Sequence, residues 1–109
     1  MKRKAKINID LELDENNVPE NINWHASDSD FNNKDAKAIS LSIWDGVDKS
    51  TLKINLWTKE MMAEEMKFFT IQMLDSLGDN YLKSVGDKKT SKLIKNFAKE
   101  LGKKIDVVK

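Results

Sequence analysis

"AISLSIWDGVDKSTLKINLW", residues 38–57, contains two runs in which every second residue is apolar: Ile39, Leu41 and Ile43, then Leu52, Ile54 and Leu56. Side chains along a strand alternate between faces, so this period of two predicts two half-buried strands. Between them DGVDKS is a Gly-containing loop of hairpin length. Pairing Ile43 with Leu52 keeps both apolar runs on one face, and sets Ala38 opposite Trp57 and Trp44 opposite Thr51. In that register Trp44 and Trp57 point to the outer face at opposite ends of the hairpin, with Ser40, Ser42, Lys53 and Asn55 between them. A one-residue bulge would turn either indole inward.

The same period appears upstream. Ile7, Ile9, Leu11 and Leu13 alternate with polar residues in KINIDLEL, and Ile22, Trp24 and Ala26 share one side of NINWHAS, a short fourth strand. Parallel strands read as continuous apolar runs, so clean alternation favours an antiparallel sheet with one face covered. From about residue 61 the period changes to three or four. Met66, Phe69, Met73, Leu77 and Tyr81, with Leu74 beside them, form a helical stripe. Thr58 is placed to cap this helix, Glu60, Glu64 and Glu65 suit its positive end, and Gly86 is its expected stop. Gly78, inside the stripe, marks a kink or a close approach. Thr90 or Ser91 opens a second helix whose apolar side is Leu93, Ile94, Phe97, Ala98 and Leu101. Residues 14–20 and 27–35 are polar and turn-rich, and read as loops.

These elements predict an α+β fold in one domain, residues 1–109. An antiparallel sheet of three or four strands over about 5–58 is followed by two C-terminal helices, about 61–85 and 90–103, packed on one face of the sheet in two layers. The length of 109 residues fits one domain, and 39% hydrophobic content is enough for a core. Net charge is only +1, but residues 83–109 hold nine lysines against three acidic residues, leaving residues 1–82 at −5. The absence of cysteine removes disulfides, thiolate metal sites and cysteine nucleophiles. MKRKAKINIDLEL has a basic start but no apolar segment after it, and no apolar run spans a bilayer. A cytoplasmic, soluble protein is expected.

Few residues suggest chemistry. Asp28, Asp30 and Asn32 match the first ligand positions of a calcium loop, but Asn33 stands where glycine is needed and Ile39 where glutamate is needed, which favours a solvated loop. His25 is the only histidine; as a general base it would need an orienting carboxylate, and the loop aspartates are its nearest candidates. No nucleophile elbow, phosphate loop, dinucleotide fingerprint or zinc-protease motif occurs, so no catalytic residue, metal or cofactor is expected. An enzyme would require a pocket holding His25 or clustered carboxylates.

Two surfaces are left. Lys88, Lys92, Lys95, Lys99 and Lys103 step along one side of the second helix and are either a solvated face or a surface for an acidic protein, anionic lipid or nucleic acid. Specific nucleic-acid reading is not expected, because the chain has a single arginine and no aromatics among the lysines. The outer sheet face around Trp44, Lys53, Asn55 and Trp57 suggests docking to a protein or to a second copy of the chain, since tryptophan combines a large apolar body with one polar handle. The competing reading is that residues 14–35, with Trp24 and Phe31, fold over both indoles.

VPENINWHASD, AKAISLSIWD, TLKINLWTKEM and EMKFF, in that order and spacing, resemble the gliding-motility-associated GldC-like proteins over nearly the whole chain. The most specific part is AKAI.L..W followed by L.I.LWTK.M. Met62 departs from the pattern, where the resemblance leads one to expect proline in the first helical turn. The resemblance implies a cytoplasmic accessory of the gliding machinery, an envelope motor assembly linked to protein secretion. It implies no reaction, cofactor or catalytic residue. The function expected is therefore a non-enzymatic adaptor or assembly factor with a protein partner in that machinery, cytoplasmic or peripheral to the inner membrane. Binding of anionic surfaces through the lysine face is the alternative.

Overall fold

A computed structural model of the chain describes residues 2–27 and 34–107. The described residues fall into two compact units, residues 1–61 and 62–109. The first holds all the strands: β1 (Ile7–Leu13), β2 (Pro19–Ala26), β3 (Lys34–Ala36), β4 (Ala38–Asp45) and β5 (Ser50–Trp57). The second is a helical hairpin of α1 (Ala63–Val85) and α2 (Lys88–Lys104). The α+β class and the antiparallel pairing are as the period-two runs predict. The strands, expected in one sheet of three or four, form two: β1-β2-β3 and β4-β5.

The weak fourth strand is real. β2 runs antiparallel to β1, with Ile9 opposite Trp24 and Leu11 opposite Ile22, so apolar residues of the two strands share a face. Ile22 is fully buried there. Residues 34–36, the first two of them expected in a loop, add β3 to the other side of β2, where Asn23 donates from Nδ2 to Asp35 at 3.1 Å. Asp14 closes the β1–β2 turn by accepting from the backbone N–H groups of Asn16 and Val18 at 2.8 and 2.9 Å. Its other carboxylate oxygen lies 2.6 Å from Lys59 Nζ just past β5. These bonds, the Lys59 contact first, hold the Asp14 pKa down at about 2 and raise that of Lys59.

The β4–β5 register is the one the alternation demands, running unbroken from Ala38 opposite Trp57 to Asp45 opposite Ser50. The tip is held by Asp45, whose side chain accepts from the N–H groups of Val47 and Asp48 while its carbonyl accepts from Lys49 N–H at 2.8 Å. The residue in the left-handed region is Lys49, with φ of 55°, and not Gly46.

Thr58 does not cap α1. The chain makes one more turn, with Met61 N–H donating to the Thr58 carbonyl, and the helix starts at Ala63 after the N-cap Met62. Met62 N–H is satisfied by the Glu65 carboxylate at 3.1 Å, the acidic half of a capping box. Gly86 ends α1 as expected, with φ of 81° and its N–H on the Leu82 carbonyl. α2 begins two residues earlier than predicted because its cap is Asp87, which accepts from Thr90 N–H at 3.1 Å and from the Thr90 hydroxyl at 2.6 Å. Those two bonds lower the Asp87 pKa, the hydroxyl contact most.

The helices meet along small residues. A side chain at Gly78 would run into the stem of Lys95 and reach within 3.2 Å of the Ser91 carbonyl, and Ser91 Oγ donates to the Gly78 carbonyl at 2.7 Å. Gly78 is therefore the close approach, one of the two readings its position allowed. Ile71, Ser91, Ala98 and Gly102 are buried along the same seam.

Candidate interaction surfaces

The outer face of β4–β5 is built by parity. Trp57, Asn55, Lys53 and Thr51 on β5 alternate with the apolar set, and Ala38, Ser40, Ser42 and Trp44 face them from β4. The two indoles are six ladder steps apart, about 20 Å at the usual rise per residue. Trp44 is 63% exposed and Trp57 55%. Between them Ser40 Oγ donates to Asn55 Oδ1 at 2.7 Å. The described part of residues 14–35 leaves both indoles open; Phe31 lies outside the described residues. The strip carries two exposed indoles with hydrogen-bonding groups between them. On the reverse face Ile43, Leu52 and Ile54 are also exposed.

The lysine face of α2 is not the unbroken row that its spacing suggests. Lys88, Lys92, Lys99 and Lys103 are exposed, but Lys95 turns to α1 and places Nζ 2.6 Å from Asp79 and 3.6 Å from Asp75. This pairing, Asp79 foremost, raises the Lys95 pKa. The row is broken because the seam recruits its central member to neutralise two aspartates four residues apart on α1. Lys92, Lys95, Lys99 and Lys103 do line a groove of about 750 Å³, but Asp75, Gln72 and Asn96 line it too. Charge there is mixed.

A second groove, about 530 Å³, opens on the other side of the helical hairpin between Leu74, Leu77, Tyr81, Leu93, Ile94 and Phe97. These residues belong to the predicted apolar stripes. Because the seam uses small residues instead, Leu77, Leu93 and Phe97 stay exposed. Two apolar residues four apart on a short helix, Leu93 and Phe97, were the signal for this patch.

His25 sits on β2 opposite Asn8, its Nε2 3.1 Å from Asn8 Nδ2. Nδ1 is buried and has no hydrogen-bond partner among the described residues. Among the described residues no cluster of three His, Cys, Asp or Glu side chains could hold a metal ion. Asp28, Asp30 and Asn32 lie outside the described residues.

The order β2–β5 then α1–α2, with the tryptophan hairpin ahead of the helices, is the part of the chain that comparison with known families addresses. Residues 19–107 match the model of the gliding motility-associated protein GldC-like family. The chain belongs to the GldC-like family. The match runs from the first residue of β2 to beyond α2, and β1 lies ahead of it. No curated protein and no solved structure matches the chain. Membership of the GldC-like family makes this a gliding-motility-associated protein. Among the described residues no helix is long and apolar enough to cross a membrane.

Proposed function

We propose that this GldC-like protein is a non-enzymatic accessory of the gliding machinery, an adaptor or assembly factor. It acts in the cytoplasm or at the inner membrane by holding a protein partner on the outer face of β4–β5. Trp44 and Trp57 are the anchors, and Lys53 and Asn55 supply hydrogen bonds between them. The observation that carries this reading is the exposure of both indoles on one polar strip. Burying each indole against a partner would be worth on the order of 2 kcal/mol, and two of them on one strip make a larger apolar offering than singly scattered residues do.

The test is affinity capture from a nuclease-treated lysate at low and moderate salt, comparing the wild-type chain with Trp44→Ala/Trp57→Ala. A protein of the envelope machinery held at moderate salt by the wild type and lost by the variant is the expected result. Equal capture by both chains overturns the site. The alternative, anionic-surface binding through α2, draws on the exposure of Lys88, Lys92, Lys99 and Lys103. It predicts binding that falls steeply with salt and with Lys92→Glu/Lys99→Glu; the pairing of Lys95 with Asp75 and Asp79 counts against it.

A further inference from the structure

β1 is an edge strand. Its one ladder partner among the described residues is β2, and all seven of its residues are exposed. Ser27 N–H donates to the Lys6 carbonyl at 2.9 Å, which extends the ladder one step ahead of Ile7 and fixes its phase. Antiparallel partners alternate between bonded and non-bonded pairs, so Lys6, Asn8, Asp10 and Glu12 direct their backbone groups to β2. Ile7, Ile9 and Leu11 direct theirs to the open edge. No proline, glycine or bulge interrupts this stretch before Glu12, so no backbone device blocks pairing there, and what protection the edge has comes from its charged side chains.

The polar face of the same segment changes sign along its length. Lys6, one step ahead of β1, is followed by Asp10 and Glu12 on one side of the strand, and Lys4, ahead of the ladder, has the same parity in the sequence. A strand with positive charge at one end and negative at the other is complementary to itself when the copies run antiparallel, and self-repelling when they run parallel. We infer that β1 pairs antiparallel with β1 of a second copy, with Asn8 on the two-fold axis, Lys6 facing Asp10 and Lys4 facing Glu12. Two three-stranded sheets thereby become one of six strands. In this register Ile7 meets Ile9 through the free edge groups, and the charged pairs occupy the non-bonded positions, where side chains approach most closely. The next in-phase register, with Ile9 on the axis, sets Lys4 against Asp14, which Lys59 already holds at 2.6 Å. With Asp10 on the axis, like charges meet. The inference uses a strand edge and not the tryptophan face, so it stands or falls apart from the docking reading.

The chain has no cysteine, so Asn8→Cys introduces a single thiol. Light scattering should give the mass of a dimer, and mild oxidation of Asn8→Cys should link it covalently while Asp48→Cys at the β4–β5 tip stays unlinked. Ile9→Pro removes an edge N–H without touching the β1–β2 ladder, and Lys4→Glu/Lys6→Glu places like charges in contact. Each should weaken the dimer by roughly tenfold or more. Adding Asp10→Lys/Glu12→Lys to the lysine variant should restore it, which keeps the test decisive even where Ile9→Pro folds poorly. A monomer at high micromolar concentration overturns the inference. So does a dimer that Asn8→Cys does not link and that ignores the charge swap.

Discussion

Where β4 meets β5, backbone groups make the join and large side chains are left over; where α1 meets α2, backbone groups are used up inside each helix and side chains must make it. The strand hairpin is closed by its ladder from Ala38–Trp57 to Asp45–Ser50, while Trp44, Trp57, Ile43 and Leu52 stay exposed. The helical hairpin is closed by Gly78, Ser91, Ala98 and Gly102, with Lys95 bound to Asp75 and Asp79 beside them. Leu77, Leu93 and Phe97 stay exposed. Apart from Ile71, buried at the helical seam, the closing is done without the largest apolar side chains, which stay exposed on both hairpins.

The contrast breaks most sharply at the helical seam. Gly78→Leu should destabilise the helical hairpin by about 1–3 kcal/mol, because the new side chain displaces the Lys95 stem and presses on the Ser91 carbonyl. Thermal unfolding followed by helical circular dichroism reads this directly. A melting temperature equal to wild type would mean that the seam is loose and that small residues are not what closes it.

The same contrast explains what could be read from the chain. The β4–β5 register was legible because strict alternation on both sides of a short loop restricts the pairing to in-phase registers, and the placement of the two indoles on one face follows from parity. The seam was legible only in part: Gly78 stands out inside the stripe and Ala98 lies on the apolar side of α2, but Ser91 and Gly102 carry no hydropathy, and the periodic signal falls on Leu77, Leu93 and Phe97 instead. The spacing of Lys95 puts it in the lysine row, solvated or anion-binding, for a related reason: its partners lie on another helix, and only the four-residue spacing of Asp75 and Asp79 hints at them. β3 has no sequence signature, because three residues, two of them charged, show no period. Thr90 or Ser91 reads as the start of α2 because a hydroxyl residue precedes its apolar stripe, whereas the cap is Asp87, which binds Thr90.

Acid separates the regions in a second way. Asp14 in the strand unit has its pKa depressed from 3.8 to about 2, so its contribution is complete above pH 4 and is lost as pH falls toward 2. Asp87 in the helical unit is depressed in the same direction and loses its contribution as pH falls through its folded value. Asp14→Asn should lower stability at neutral pH and flatten the strand unit's dependence between pH 4 and 2, read by tryptophan fluorescence because all three tryptophans lie in that unit. The helical signal should keep its acid dependence. An unchanged pH profile would mean that the Lys59 contact does not persist in solution.

Removing the large exposed residues should have smaller effects on folding. Trp44→Ala/Trp57→Ala should change stability by about 0.5 kcal/mol or less at each site, the range of surface substitutions, because neither indole closes the hairpin. A loss of several kcal/mol, measured in urea, would show that the outer face is a core in solution and is covered by something other than the described residues.

The smallest change sharpens the account of how the ladder is closed. Lys49 adopts φ of 55° at the β4–β5 tip, where a side chain costs about 1 kcal/mol or slightly more. Glycine removes that cost but gives up roughly 0.5–1 kcal/mol through the greater freedom of the unfolded chain. Lys49→Gly should therefore be neutral or stabilising by a few tenths of a kcal/mol, with the backbone bond from residue 49 to the Asp45 carbonyl retained. Gly46, with open space around its Cα, should tolerate alanine equally well. If Lys49→Gly instead destabilises by more than about 1 kcal/mol, the lysine side chain itself supports the turn, and side chains help to close the strand hairpin as they close the helical one.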